Sequence, residues 1–144
     1  MKSRAMPPQV DEVFSRFPPE ARQLLLELRT LVFETAAAHP EVGPLTEGLR
    51  WGEPAYLTEE TKSGSTVRLG WKSSTPAKAY LYVNCRTDLV DSFRTLFGEK
   101  LAFEGNRAVA LSLNQAIPRA QLQVCIEMAL TYHLGRRRGA AARH

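Results

Sequence analysis

With 144 residues, 44% of them hydrophobic and 24% charged, the chain has the size and composition of one globular domain and is long enough to need no disulfide or metal staple. Its formal net charge of +4 hints at nucleic acid, but Lys2, Arg4, Arg136, Arg137, Arg138 and Arg143 all lie in the tails. Residues 5–134 carry 13 basic against 15 acidic residues, a net of −2, so the body gives no electrostatic case for nucleic acid, which needs positive charge clustered on the fold.

The opening segment Met1 to Pro8 is charged, with no apolar run behind it, and the longest pure aliphatic run is Leu24-Leu25-Leu26. Neither a signal peptide nor a membrane span is expected. The expectation is a cytoplasmic domain in which Cys85 and Cys125 are reduced thiols with structural roles. The domain is expected over 8–134, between an N-terminal tail, 1–7, and a basic C-terminal tail, 135–144. Arg136, Arg137 and Arg138 suit a solvated helix end, where cations meet the negative end of the dipole.

Pro7-Pro8 opens a short helix with Val10, Val13, Phe14 and Phe17 at helical spacing. A second helix runs from about Pro19 to Ala38, with Leu24, Leu25, Leu28, Leu31, Val32 and Thr35 on one face. Glu20, Glu27 and Glu34 form a stripe on one flank, with Arg22 and Arg29 on the other. Leu26 and Phe33 lie apart, set to meet the first helix or a partner subunit. His39-Pro40 and Gly43-Pro44 end this helix.

Residues 54–59 read as the first strand. After the turn Lys62-Ser63-Gly64-Ser65, Val67, Leu69 and Trp71 alternate with polar residues as a half-buried strand. In the next strand Ala79, Leu81, Val83 and Cys85 are expected inward, with Tyr80, Tyr82, Asn84 and Arg86 outward beside Arg68 and Lys72. Thr87-Asp88 caps a helix that Gly98 closes. Leu101 and Phe103 start a strand, Glu104-Gly105-Asn106 turns it, 107–113 returns, and Pro118 begins a last helix to about Leu134. The fold class is α+β: about five antiparallel strands with the N- and C-terminal helices packed mainly on one face.

No phosphate loop, dinucleotide fingerprint or nucleophile elbow is present, and no His, Cys or carboxylate pair has transition-metal spacing. No cofactor, metal or catalytic residue is assigned, and the balance is against an enzyme. His133 shares a helix face with Leu122, Ile126 and Ala129, as a hydrogen-bonded core histidine or a proton-transfer group in a cleft. The richest stretch is Glu47 to Tyr56, read as a helix-to-strand connection in which Glu47, Arg50, Trp51, Glu53 and Tyr56 mix aromatic, anionic and cationic groups. It suits a small-ligand cleft, or a tryptophan-anchored turn. A second candidate is the outward face of Tyr80, Tyr82, Asn84, Arg86, Arg68 and Lys72, which could hold anions, face solvent or be covered in a homodimer.

The strings Glu47-x-x-Arg50-Trp51-Gly52-Glu53-Pro54-Ala55-Tyr56 and Gly64-Ser65-x-Val67-Arg68-Leu69 resemble the YdhG-like family of bacterial domains of unknown function. Tyr80-Leu81-Tyr82-x-Asn84-Cys85-x-Thr87-x-Leu89-Val90, Glu104-Gly105-Asn106-Arg107-Ala108 and Ala129-Leu130-Thr131-Tyr132-His133 fit the same pattern. The resemblance covers about residues 10–134 and implies a frataxin-like sandwich. Some relatives are described as iron chaperones, a role that leans on a carboxylate ridge. Here Arg22 and Arg29 share the helix with the glutamate stripe, which weakens that implication.

The leading expectation is a binding or adaptor domain holding a small polar or anionic ligand near residues 47–56. Its site would comprise Glu47, Arg50, Trp51, Glu53, Tyr56, Arg107 and His133. The alternatives are iron delivery and a small enzyme using His133 with a carboxylate. The partner is a small molecule or a protein, with no membrane.

Overall fold

Two proline-opened helices lead the chain in the computed structural model, which describes residues 5–135. Helix α1 (Pro8–Arg16) and helix α2 (Pro19–Ala37) each carry a proline in the first turn, where a missing N–H costs nothing. Between them Phe17 is extended, and Arg22 clamps the corner by donating to the carbonyls of Phe14, Ser15 and Phe17. The expected face of α2 is the buried one, from Leu24 to Thr35. The hydroxyl of Thr35 is satisfied within the helix by donating to the Leu31 carbonyl at 2.7 Å.

Six strands follow in one antiparallel sheet: β1 (Thr46–Arg50), β2 (Glu53–Leu57), β3 (Val67–Trp71), β4 (Lys78–Tyr82), β5 (Ala102–Glu104) and β6 (Ala108–Ser112). Helix α3 (Leu89–Phe97) separates β4 from β5, and α4 (Arg119–Leu130) closes the domain. The spatial order is β1-β2-β3-β4-β6-β5, so β6 returns between β4 and β5 and leaves β5 on the edge. The expected α+β class holds, with one strand more than five. The addition is β1, in the segment read from sequence as a helix-to-strand connection. Its Glu47 and Leu49 alternate with Thr46, Gly48 and Arg50, a pattern too polar to signal a strand.

All four helices pack on one face of the sheet. There Leu24, Leu28, Leu31, Phe14, Phe93, Leu122 and Ile126 meet the inward Val67, Leu69, Ala79, Leu81 and Val109 in one core. Burying each large aliphatic side chain contributes about 1.5–3 kcal/mol, the main source of stability. Phe33 turns edge-on to Tyr56 at 5.5 Å, so it meets the sheet.

The loop between β2 and β3 docks on the end of α4. Ser65 N–H donates to the Ala129 carbonyl at 2.8 Å, and Ser63 Oγ to that of Leu130 at 2.8 Å. Gly64 is required there, because a Cβ would collide with the Leu130 backbone. The helix breaks at Thr131, earlier than the expected Leu134, and a further turn spans 132–135. Asp88 makes no side-chain cap for α3; Thr87 Oγ1 instead accepts from Leu89 N–H at 3.3 Å. Among the described residues no helix is long and apolar enough to cross a membrane. The tail residues 1–4 and Arg136–Arg138 lie outside the described residues.

Candidate functional site

The hairpin of β1 and β2 decides where the sequence-predicted residues go. Its turn is Trp51-Gly52, with φ of 56° and 76°. Positive φ at both central residues is the type I′ signature, which matches strand twist. With Arg50 opposite Glu53 and Glu47 opposite Tyr56, alternate residues face opposite sides of the sheet. Glu47, Leu49, Pro54 and Tyr56 face the helices; Arg50 and Glu53 face away from them.

Inside, Glu47 receives both nitrogens of one guanidinium: Arg29 Nε donates at 2.6 Å and Nη2 at 2.9 Å. Tyr56 Oη donates to the same carboxylate at 2.9 Å, and Arg29 also reaches the Ala5 carbonyl at 3.4 Å. The Arg29 and Glu47 side chains are only 5% and 6% exposed, so this is a dry ion pair. The hydrogen bond to Glu47 raises the Arg29 guanidinium above its ordinary value, and burial raises the Tyr56 phenol. The triad ties α2 to the β1–β2 hairpin. Among the described residues no buried side-chain polar atom lacks a partner, which leaves the triad suited to holding the fold together.

On the opposite face the sheet covers itself. Arg68 pairs with Glu53 and lies over the Tyr82 ring at 5.1 Å; Lys72 pairs with Glu104 at 2.7 Å and lies over Tyr80 at 4.6 Å. Tyr80 and Tyr82 stack at 5.5 Å. They do point outward, as the alternation predicts, but the cations bury them almost completely. Gly70 makes room for this lattice, since a Cβ there would strike the Glu53 carboxylate and the Tyr82 ring. Desolvation pushes the Glu53 carboxyl up, and Arg68 offsets it only in part.

Where β3 begins and β4 ends, this outer face opens into a shallow depression of about 650 Å³. Four arginines line it, Arg50, Arg68, Arg86 and Arg107, together with Trp51 and Asn84, and no carboxylate does. Arg50 donates to its neighbour's carbonyl, Leu49, at 2.8 Å and stands 3.6 Å from Glu59. Arg86 and Arg107 are exposed, and among the described residues neither guanidinium has a hydrogen-bond or ion-pair partner. They sit on two loops stitched together: Val83 N–H donates to the Arg107 carbonyl at 2.8 Å, and Asn106 Nδ2 to the Cys85 carbonyl at 3.0 Å. Asn84 Oδ1 accepts the Arg86 N–H at 2.9 Å, fixing that turn. The backbone that carries both arginines is therefore fixed before any ligand arrives. A second depression of about 350 Å³, near Lys78 and Lys100, includes the carboxylate of Glu99 and lacks this one-sided charge.

The structure thus brings together Arg50, Trp51 and Arg107 of the expected set. Glu47 and Tyr56 lie on the other side of the sheet, and Glu53 is bound up with Arg68 in the lattice beside the depression. His133 is exposed past the break in α4, with its N–H on the Ser63 carbonyl at 2.9 Å and its ring 5.4 Å from Tyr132. It is neither in the core nor in the depression, because the helix that would have buried it stops at Leu130. Arg68, Asn84 and Arg86 come from the outward face read as the second candidate. Cys85 also lines the depression, exposed, because β4 ends at Tyr82 and the inward alternation runs no further than Val83. Cys125 is buried as expected, its thiol pushed up to about 12 by desolvation.

No family model, curated protein or solved structure matches this chain.

Proposed function

We propose that this domain is a binding module that holds a small anionic ligand in the arginine-lined depression. The observation that carries the reading is the pair of guanidiniums on Arg86 and Arg107, without a partner among the described residues, set with Arg50 and Arg68 around a wall to which no described carboxylate contributes. Arg68 and Arg50 have Glu53 and Glu59 as partners, whereas the like charges of Arg86 and Arg107 are left to repel one another, and an anion would relieve them. Planar guanidiniums also match phosphate or carboxylate oxygens in pairs.

The strings that resemble YdhG-like domains support placing the chain in that family, with a frataxin-like sandwich. Four of them fall on the β1–β2 hairpin, the start of β3, the end of β4 and the β5–β6 turn, the segments around the depression. Iron delivery has less behind it. Glu34 is engaged by Arg119 at 2.7 Å, and among the described residues no three His, Cys, Asp or Glu side chains gather to hold a metal.

Calorimetric titration with pyrophosphate tests the reading. Binding is expected to weaken at least tenfold in the Arg86→Ala/Arg107→Ala variant, whose melting point should stay near that of the parent because both side chains are exposed. Cys85 provides a local reporter, since it lines the depression while Cys125 is buried. Pyrophosphate should slow its alkylation; unchanged labelling together with no heat of binding would remove the proposal.

A further inference from the structure

An anion accounts for the arginines but not for Trp51. Its indole is 89% exposed, the most exposed large apolar side chain described, and lies in the wall of the depression. Its backbone is left-handed, φ 56°, at a turn position ordinarily occupied by Asn, Asp or Gly. That conformation is strained for a bulky residue, and burial of the ring does nothing to offset it. The other tryptophan shows the contrast: Trp71 is half-buried with Nε1 donating to the Pro76 carbonyl at 3.1 Å. One tryptophan is used by the fold; the other is held out in solvent beside four arginines.

Resting on the anion-binding reading above, we propose that the ligand is a nucleotide, its phosphates on Arg86 and Arg107 and its base stacked on Trp51. A flat, exposed ring stacks on any base, and two free guanidiniums match a diphosphate. A volume of about 650 Å³ is in the range of small-molecule sites. A single strand of nucleic acid fits less well. It needs a positive track, whereas Glu53 and Glu59 pair with Arg68 and Arg50 at the depression and the body carries net −2.

Calorimetry with pyrophosphate, adenosine diphosphate and an oligothymidylate, on the parent chain and on Trp51→Asn, tests this. Asparagine tolerates the left-handed turn, so the hairpin survives the change, and a circular-dichroism melt checks that it does. The parent should bind adenosine diphosphate at least about tenfold more tightly than pyrophosphate, with quenching of tryptophan fluorescence. In Trp51→Asn that advantage and the quenching should vanish while pyrophosphate affinity stays unchanged; Trp51→Tyr should recover most of the advantage. Adenosine diphosphate no tighter than pyrophosphate would overturn the nucleotide and leave the anion site standing. Binding by neither would overturn both. An oligothymidylate bound more tightly than adenosine diphosphate would overturn the small ligand in favour of a strand.

Discussion

Arg29 and Arg107 show what the two faces of one sheet do with the same side chain. Arg29 is buried, bidentate on Glu47, with Tyr56 completing the carboxylate's partners. Arg107 is exposed on a short turn, and its guanidinium meets no acceptor among the described residues. A buried guanidinium must find its partners within the fold, because desolvating it unpaired costs several kcal/mol. A surface one can stay solvated until a ligand comes. The β1–β2 hairpin contributes to both arrangements, and its period of two sorts Glu47 and Tyr56 to the first and Arg50 to the second.

The contrast breaks first at Glu47. Glu47→Ala strands the Arg29 charge in the interior and should cost about 3–5 kcal/mol in urea unfolding; a loss below about 1 kcal/mol would mean the triad does not fasten the hairpin. Next comes Gly70→Ala, which displaces the Glu53 carboxylate and the Tyr82 ring from the outer lattice. A destabilisation of about 1–3 kcal/mol is expected, with Arg68 loosened and anion affinity altered; an unaffected melt would show that the lattice yields freely. Trp51→Asn should act in the opposite direction. Relieving the left-handed tryptophan should stabilise the domain by about 1 kcal/mol even as the advantage of adenosine diphosphate over pyrophosphate is lost, and a destabilised variant would assign the ring a structural duty.

The smallest effect lies outside both arginine arrangements, at the junction of α2 and α4. His39 Nδ1 donates to the Thr35 carbonyl at 2.9 Å, and Nε2 lies 3.2 Å from Glu127. The Thr35 hydrogen bond, with Glu127 and Glu41 nearby, raises the imidazole above its ordinary value of 6.5. A raised folded-state value means that the stabilisation is complete below about pH 6.5 and fades as pH rises through the folded value. Melting temperature should therefore fall slightly from pH 6 to pH 8, and His39→Gln should flatten that slope. An equal slope in the variant would place its origin elsewhere.

Much of the scaffold was legible in the chain. The helical spacing of Leu24, Leu28, Leu31 and Val32 marked the face of α2 that packs on the sheet. The alternation in 67–72 and 79–83 set the inner and outer sides of β3 and β4. Strand β1 was missed because a polar edge strand with a Trp-Gly turn lacks the apolar alternation and the Asn-Gly signal of a hairpin. His133 was misplaced because periodicity cannot see that the 63–65 loop ends α4 by taking its last carbonyls. Cys85 was misplaced because alternation was carried past the end of its strand.

Local order is written in the chain, β1 and the end of α4 excepted: which segments are helix or strand, which side of each is apolar, and that the folded body is not basic. Those follow from periodicity and charge, which involve near neighbours along the chain. Which polar residues meet is a matter of how the strands and helices pack. Glu47 closes on Arg29, 18 positions earlier, and the depression gathers Arg50, Arg68, Arg86 and Arg107 from four separate segments. Strand pairing fixes such meetings, and one added strand was enough to divide the richest string in the sequence between the interior and the surface.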